Sequence, residues 1–84
     1  MSEAKPPPLV IDLCRTLVEA TARNKSNYWL TVYGVREALG VPRKDLDQAI
    51  AYAIEAGLVR ADESPPRSLT VTYDGSELAS APRH

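Results

Sequence analysis

The sequence predicts an α+β domain in which three helices precede a C-terminal antiparallel β-ribbon of two or three strands. Three observations carry that expectation. Apolar side chains recur at helical spacing over 9–23, 32–39 and 43–56. Single glycines, Gly40 and Gly57, stand where the second and third of those runs stop. Beyond Gly57 the apolar period becomes two. With 84 residues the chain fits one small domain and has no room for a second domain or a lidded cleft. The expected division is a proline-rich arm over 1–8, a folded domain over 9–79 and a tail over 80–84.

The first helix follows Pro6, Pro7 and Pro8, which are tolerated before or within a first helical turn because their missing N–H groups would be unpaired there anyway. Leu9, Leu13 and Leu17 form one apolar stripe and Val10, Cys14 and Val18 a second, with Asp12, Arg15, Glu19 and Arg23 between them. Ile11 widens that apolar arc, and the polar run Asn24 to Asn27 ends the helix. Tyr28 to Thr31 suits a brief strand, with Trp29 expected in the core. Thr31 is placed to cap a second helix over 32–39, with Val35, Ala38 and Leu39 on its inner face.

Val41-Pro42 begins the turn into a third helix over 43–56. Leu46, Ala49, Ile50, Ala53 and Ile54 share its inner side, and Lys44, Asp47, Gln48, Ala51, Tyr52 and Glu55 its outer side. A strand over 58–62, a loop over 63–67 containing Pro65-Pro66, and a strand over 68–73 complete the ribbon, with Leu69, Val71 and Tyr73 on one face. Asp74-Gly75 then turns into a short helical piece over 76–79.

Composition limits the function classes. An apolar fraction of 44% and a charged fraction of 25% are those of an ordinary globular protein. Cys14 stands alone, so no internal disulfide forms, and residues 1–8 lack the charged-then-apolar pattern of a secretion signal. No stretch is apolar enough for a membrane span, and the expectation is a cytoplasmic protein. Ten basic residues against eleven acidic ones mean that any basic patch is local.

The order helix, short strand, helix, turn, helix and ribbon resembles the winged-helix family of helix-turn-helix domains, over about 9–79. The most specific part is Val32 to Val59: a short helix, Leu39-Gly40-Val41, a longer helix, then Glu55-Ala56-Gly57-Leu58-Val59. Leu69-Thr70-Val71-Thr72-Tyr73-Asp74-Gly75-Ser76-Glu77-Leu78 is similar to the family's second wing strand and closing turn.

That resemblance implies a transcriptional regulator whose third helix enters the major groove of double-stranded DNA while the wing over 63–68 rests on the backbone. The residues it points to are Arg43, Lys44, Asp47, Gln48 and Tyr52 on the helix, Arg67 on the wing, and Arg36 and Arg60 at the flanks. Arginine suits guanine or phosphate, lysine phosphate, and glutamine adenine. Asp45 and Asp47 depart from the pattern, because they put negative charge on the face that meets a polyanion. The same fold also serves as an assembly domain. Val10, Ile11, Cys14 and Val18 are the candidate interface for a homodimer or a protein partner.

Blander roles stand beside each of these. Asp45 can simply complement the helix dipole, Arg43, Lys44 and Gln48 can be a solvated face, and Tyr52 can be the edge of the core. Enzyme activity is not expected, since His84 ends the chain, Cys14 sits in an apolar helix, and one histidine with one cysteine cannot hold zinc. The four glycines are dispersed rather than gathered in a phosphate loop, and no cofactor or metal is expected. What separates the DNA reading from the assembly reading is whether Arg36, Arg43, Lys44, Arg60 and Arg67 form one stripe.

Overall fold

A computed structural model describes residues 6–23 and 29–80. The elements run α1 (Pro8–Arg23), β1 (Leu30–Thr31), α2 (Val32–Leu39), α3 (Arg43–Glu55), β2 (Val59–Ala61), β3 (Ser68–Val71) and α4 (Tyr73–Ser80). The three strands form one antiparallel sheet in the order β1-β3-β2. Residues 1–5 of the arm expected over 1–8, the helix end at Asn24 to Asn27, Tyr28, and residues 81–84 with His84 lie outside the described residues.

Helix α1 is the spine of the core. Val10, Leu13, Cys14 and Leu17, spaced three, one and three residues apart, are all buried. They meet Val35 of α2, Leu46, Ala49, Ile50 and Ala53 of α3, Val59 of β2 and Leu69 of β3 in a single cluster. Alanine at 49 and 53 keeps the facing side of α3 slim where it packs. Pro8 opens α1, one residue earlier than the sequence pattern marks, at a position where its missing N–H costs nothing.

Two glycines set the directions of the helices. Gly40 caps α2 with φ 65° and donates its N–H to the Arg36 carbonyl at 2.8 Å. Gly57 follows α3 with φ 75°, donating to the Ile54 carbonyl at 3.0 Å, and Leu58 then donates to the Ala53 carbonyl at 2.8 Å. Both take the left-handed backbone that glycine adopts without a steric penalty. Thr31 caps α2 as its position predicts, its hydroxyl accepting from the Gly34 N–H at 3.0 Å.

Leu69 is the buried centre of the sheet, opposite Leu30 on one side and Ala61 on the other. At the far end of β3 the Thr72 hydroxyl lies 2.7 Å from the Gly57 carbonyl oxygen and 3.0 Å from that of Leu58, and accepts from the Gly75 N–H at 3.1 Å. Gly75 is buried, and a Cβ there would collide with the Leu58 carbonyl oxygen and stand 2.7 Å from Val71 Cγ2.

Several expectations are corrected. Val10 and Cys14 belong to the core and offer no surface for a partner, which leaves only the half-buried Ile11 and Val18 of that candidate interface. Trp29 is 41% exposed rather than in the core, and Ala38 is exposed. Ile54, expected on the packed side of α3, is 39% exposed, while its neighbour Ala53 is fully buried. Tyr73 is not a strand residue; it opens α4, which therefore starts three residues early, and it is 77% exposed. The apolar alternation Leu69, Val71, Tyr73 misleads here, because Thr72 turns the chain before Tyr73 is reached.

Gly75→Ala forces backbone apart where Gly40→Ala only strains one φ. Urea unfolding is expected to show a loss of about 2–3 kcal/mol or more for Gly75→Ala and of about 1 kcal/mol for Gly40→Ala. Equal losses would contradict the close packing of α4 on Leu58.

Candidate nucleic-acid interface

One side of α3, the start of α2 and the loop between β2 and β3 (the wing of the expected fold) border one opening. A cleft of about 410 Å³ runs between them, lined by Val32, Tyr33 and Arg36 from α2, by Arg43, Leu46, Asp47, Ile50, Ala51 and Ile54 from α3, and by Pro65 and Pro66 from the wing. A shallower depression adjoins it, where Tyr33 and Thr31 meet Asp62, Glu63, Arg67 and Ser68. Tyr33 borders both, and it is 71% exposed.

The wing is held by its own carboxylate. Asp62 accepts from the Ser68 N–H at 2.9 Å and the Arg67 N–H at 3.1 Å, so it closes the loop across the five residues between it and Ser68. These backbone donors, that of Ser68 first, hold its carboxyl below the ordinary aspartate value. Val32 N–H donates to the Arg67 carbonyl at 2.9 Å, which ties the wing to the start of α2.

The candidate cations fall into two groups. Arg43 lies 3.8 Å from Asp47 and Arg67 3.5 Å from Glu63, both one helical-turn spacing apart in sequence. All four side chains are at least half exposed, so each pair contributes well under about 1 kcal/mol and exchanges readily. Arg36, Lys44 and Arg60 are exposed and have no ion pair among the described residues.

Arg36 and Arg43 therefore share the cleft, Arg67 borders the neighbouring depression, and Lys44 lines neither. Gln48 and Tyr52 sit on the other shoulder of α3, where with Asp45 and Ala49 they face Pro7, Leu9 and Val10 across a second cleft of about 360 Å³. Tyr52 is 37% exposed, between core edge and contact surface. Arg60 projects from β2, opposite Thr70, and lines neither cleft. Pro42 precedes α3 without a side-chain cap, so Asp45 serves the first turn through the helix dipole.

Sequence reasoning missed Tyr33. Its signal is that Val32, Val35 and Leu39 already make the inner stripe of α2, which leaves Tyr33 as an aromatic off that stripe and in water. Cys14 is buried, and burial pushes its thiol up, away from the thiolate that a nucleophile needs. Among the described residues, no group of three or more His, Cys, Asp or Glu side chains is placed to hold a metal ion, and no helix is long and apolar enough to cross a membrane.

No protein-family model, curated protein or solved structure matches the chain.

The hydrogen bonds to Asp62 have a direct readout. Protonating Asp62 breaks the wing closure, so the bonds are present above the ordinary aspartate range and are lost only as pH falls through the lowered folded value. In an NMR pH titration the Ser68 amide is expected to shift together with the Asp62 carboxyl, at a midpoint below the ordinary aspartate value. A Ser68 midpoint at or above that ordinary value would contradict the closure.

Proposed function

We propose that this chain is a winged-helix domain that docks on double-stranded DNA through α3 and the wing, and acts as a transcriptional regulator. The reading draws on the element order, on the turn at Gly40 between α2 and α3, and on a sheet in which the first short strand flanks the ribbon. The observation that carries it is the shared cleft: Arg36, Arg43 and the wing tip at Pro65-Pro66 border one opening, with Arg67 beside it. Thirteen residues make α3 roughly 20 Å long, enough to lie in a major groove ~12 Å wide.

In this arrangement Arg36, Arg43, Lys44 and Arg67 take phosphates, and Gln48 reaches a base edge from the outer shoulder of α3. Arg43 and Arg67 first leave Asp47 and Glu63, which act as internal competitors for the phosphates. Four phosphate contacts are few, so binding by a single chain is weak and its salt dependence moderate.

Fluorescence anisotropy with a mixed-sequence duplex at low salt tests the reading. Four contacts predict a log–log salt slope of about −3.6, flattened by ~0.9 on Lys44→Ala. Glu63→Gln and Asp47→Asn remove the internal competitors and are expected to tighten binding about two- to fivefold each. The proposal fails if neither the parent chain nor these two variants retains duplex at low salt.

A further inference from the structure

Trp29 and Arg60 take no part in the cleft. Neither borders that opening, the adjoining depression or the cleft at Pro7, yet both side chains are exposed, Trp29 to 41%. The sheet register brings them together. Arg60 stands opposite Thr70 across the β2–β3 pair, and Leu30 opposite Leu69 across the β1–β3 pair. One further step along that second pairing sets Trp29 beside Thr70. Side chains alternate between the two faces of a strand. Leu69 points into the core, so Trp29, Thr70 and Arg60 make one row on the outward face, with Thr31, Ser68 and Asp62 in the next.

We propose that this outward face takes an unpaired nucleotide of single-stranded DNA, its base stacked on Trp29 and its phosphate on Arg60. The two residues flank the central strand β3, which puts their backbones about 9–10 Å apart across the sheet. Arginine's long stem shortens that span to one that a base and a neighbouring phosphate bridge. Every base has a π-face, so the stack asks for no particular sequence. A duplex does not fit this row, because its bases are stacked on one another and offer only their edges.

Charge and surface chemistry select the occupant. Arg60 has no ion pair among the described residues. The acidic group on the same face, Asp62, lies one row nearer the wing, and its carboxylate is engaged by the Ser68 and Arg67 N–H groups. Trp29 is the one large apolar side chain in these two rows, and the rest are polar or charged. A partner helix or a second copy of this chain therefore finds a single ring and no aliphatic surface to pack on. The choice of DNA over RNA rests on the duplex reading above; the stacking face does not.

Trp29 is the chain's single tryptophan, so its emission reports on this face. The probe is an oligodeoxythymidine of about eight nucleotides, within the usual range of single-strand sites, titrated into the full chain at low salt. Saturable quenching is expected, and none with an abasic strand of equal length and charge. A mixed-sequence duplex is expected to leave the emission unchanged whether or not it binds α3, so the two readings fail separately. In anisotropy with the labelled strand, Trp29→Ala is expected to weaken binding at least about fivefold. Arg60→Ala is expected to flatten the log–log salt slope by about 0.7. If Trp29→Ala does not fold, the contrast between thymidine and abasic strands on the parent chain decides. The inference is overturned by absence of quenching, by equal quenching with the abasic strand or the duplex, or by indifference to Arg60→Ala. Tighter binding of an oligouridine of the same length overturns the assignment to DNA. Emission that changes with protein concentration alone also overturns it, because another copy then covers Trp29.

Discussion

Helices α2, α3 and α4 and the central strand β3 are positioned by the buried face of α1. Val10, Leu13, Cys14 and Leu17 are removed from water together, and α2, α3, β3 and α4 all pack against the helix that carries them. Truncating one such leucine to alanine typically costs about 2–5 kcal/mol, set against a total of about 5–15 kcal/mol for a small domain. The stripe therefore cannot be shared with a partner. Surface for recognition has to come from elsewhere, and the helices that α1 supports turn their outer sides to the opposite face.

That opposite face is assembled by short-range devices rather than by a second core. Gly40 bends α3 away from α2, and Gly57 returns the chain so that β2 can pair with β3. Asp62 closes the wing, Val32 binds the wing to α2, and Thr72 with Gly75 clamps α4 onto the end of β2. With both ends of the ribbon held, Pro65-Pro66 stands across from Ile50 and Ile54. The cleft exists because the wing is tethered at its base while its tip has only α2 and α3 to face.

Much of the framework is readable from residue order. Helical spacing in α1 and α3, a threonine cap at Thr31, and glycines at the two helix exits are local signals, and local signals suffice for those elements. The errors come from contacts distant in sequence. Tyr73 continues a perfect strand alternation, and only the meeting of Gly75 with Leu58, on another strand's entrance, makes it helical. Val10, Ile11, Cys14 and Val18 all lie on the apolar arc of α1, but the fold buries Val10 and Cys14 and leaves Ile11 and Val18 half-covered. Cation positions on α2, α3 and the wing were legible as candidates. That Arg43 and Arg67 each keep an acidic companion depends on rotamers in three dimensions, although the i,i+4 spacing hints at it.

A face that carries both arginines and an aliphatic floor is chemically ambivalent, and its acidic residues keep its charge close to balanced. That face is the surface proposed for DNA contact. Backbone amide chemical-shift mapping on addition of duplex at low salt tests it most directly. Perturbations are expected to cluster at Arg36, Arg43, Lys44, Gln48 and Arg67, with Arg15 and Glu77 on the α1–α4 side unmoved. Shifts centred on α1 and α4 instead, or none at all, would contradict it.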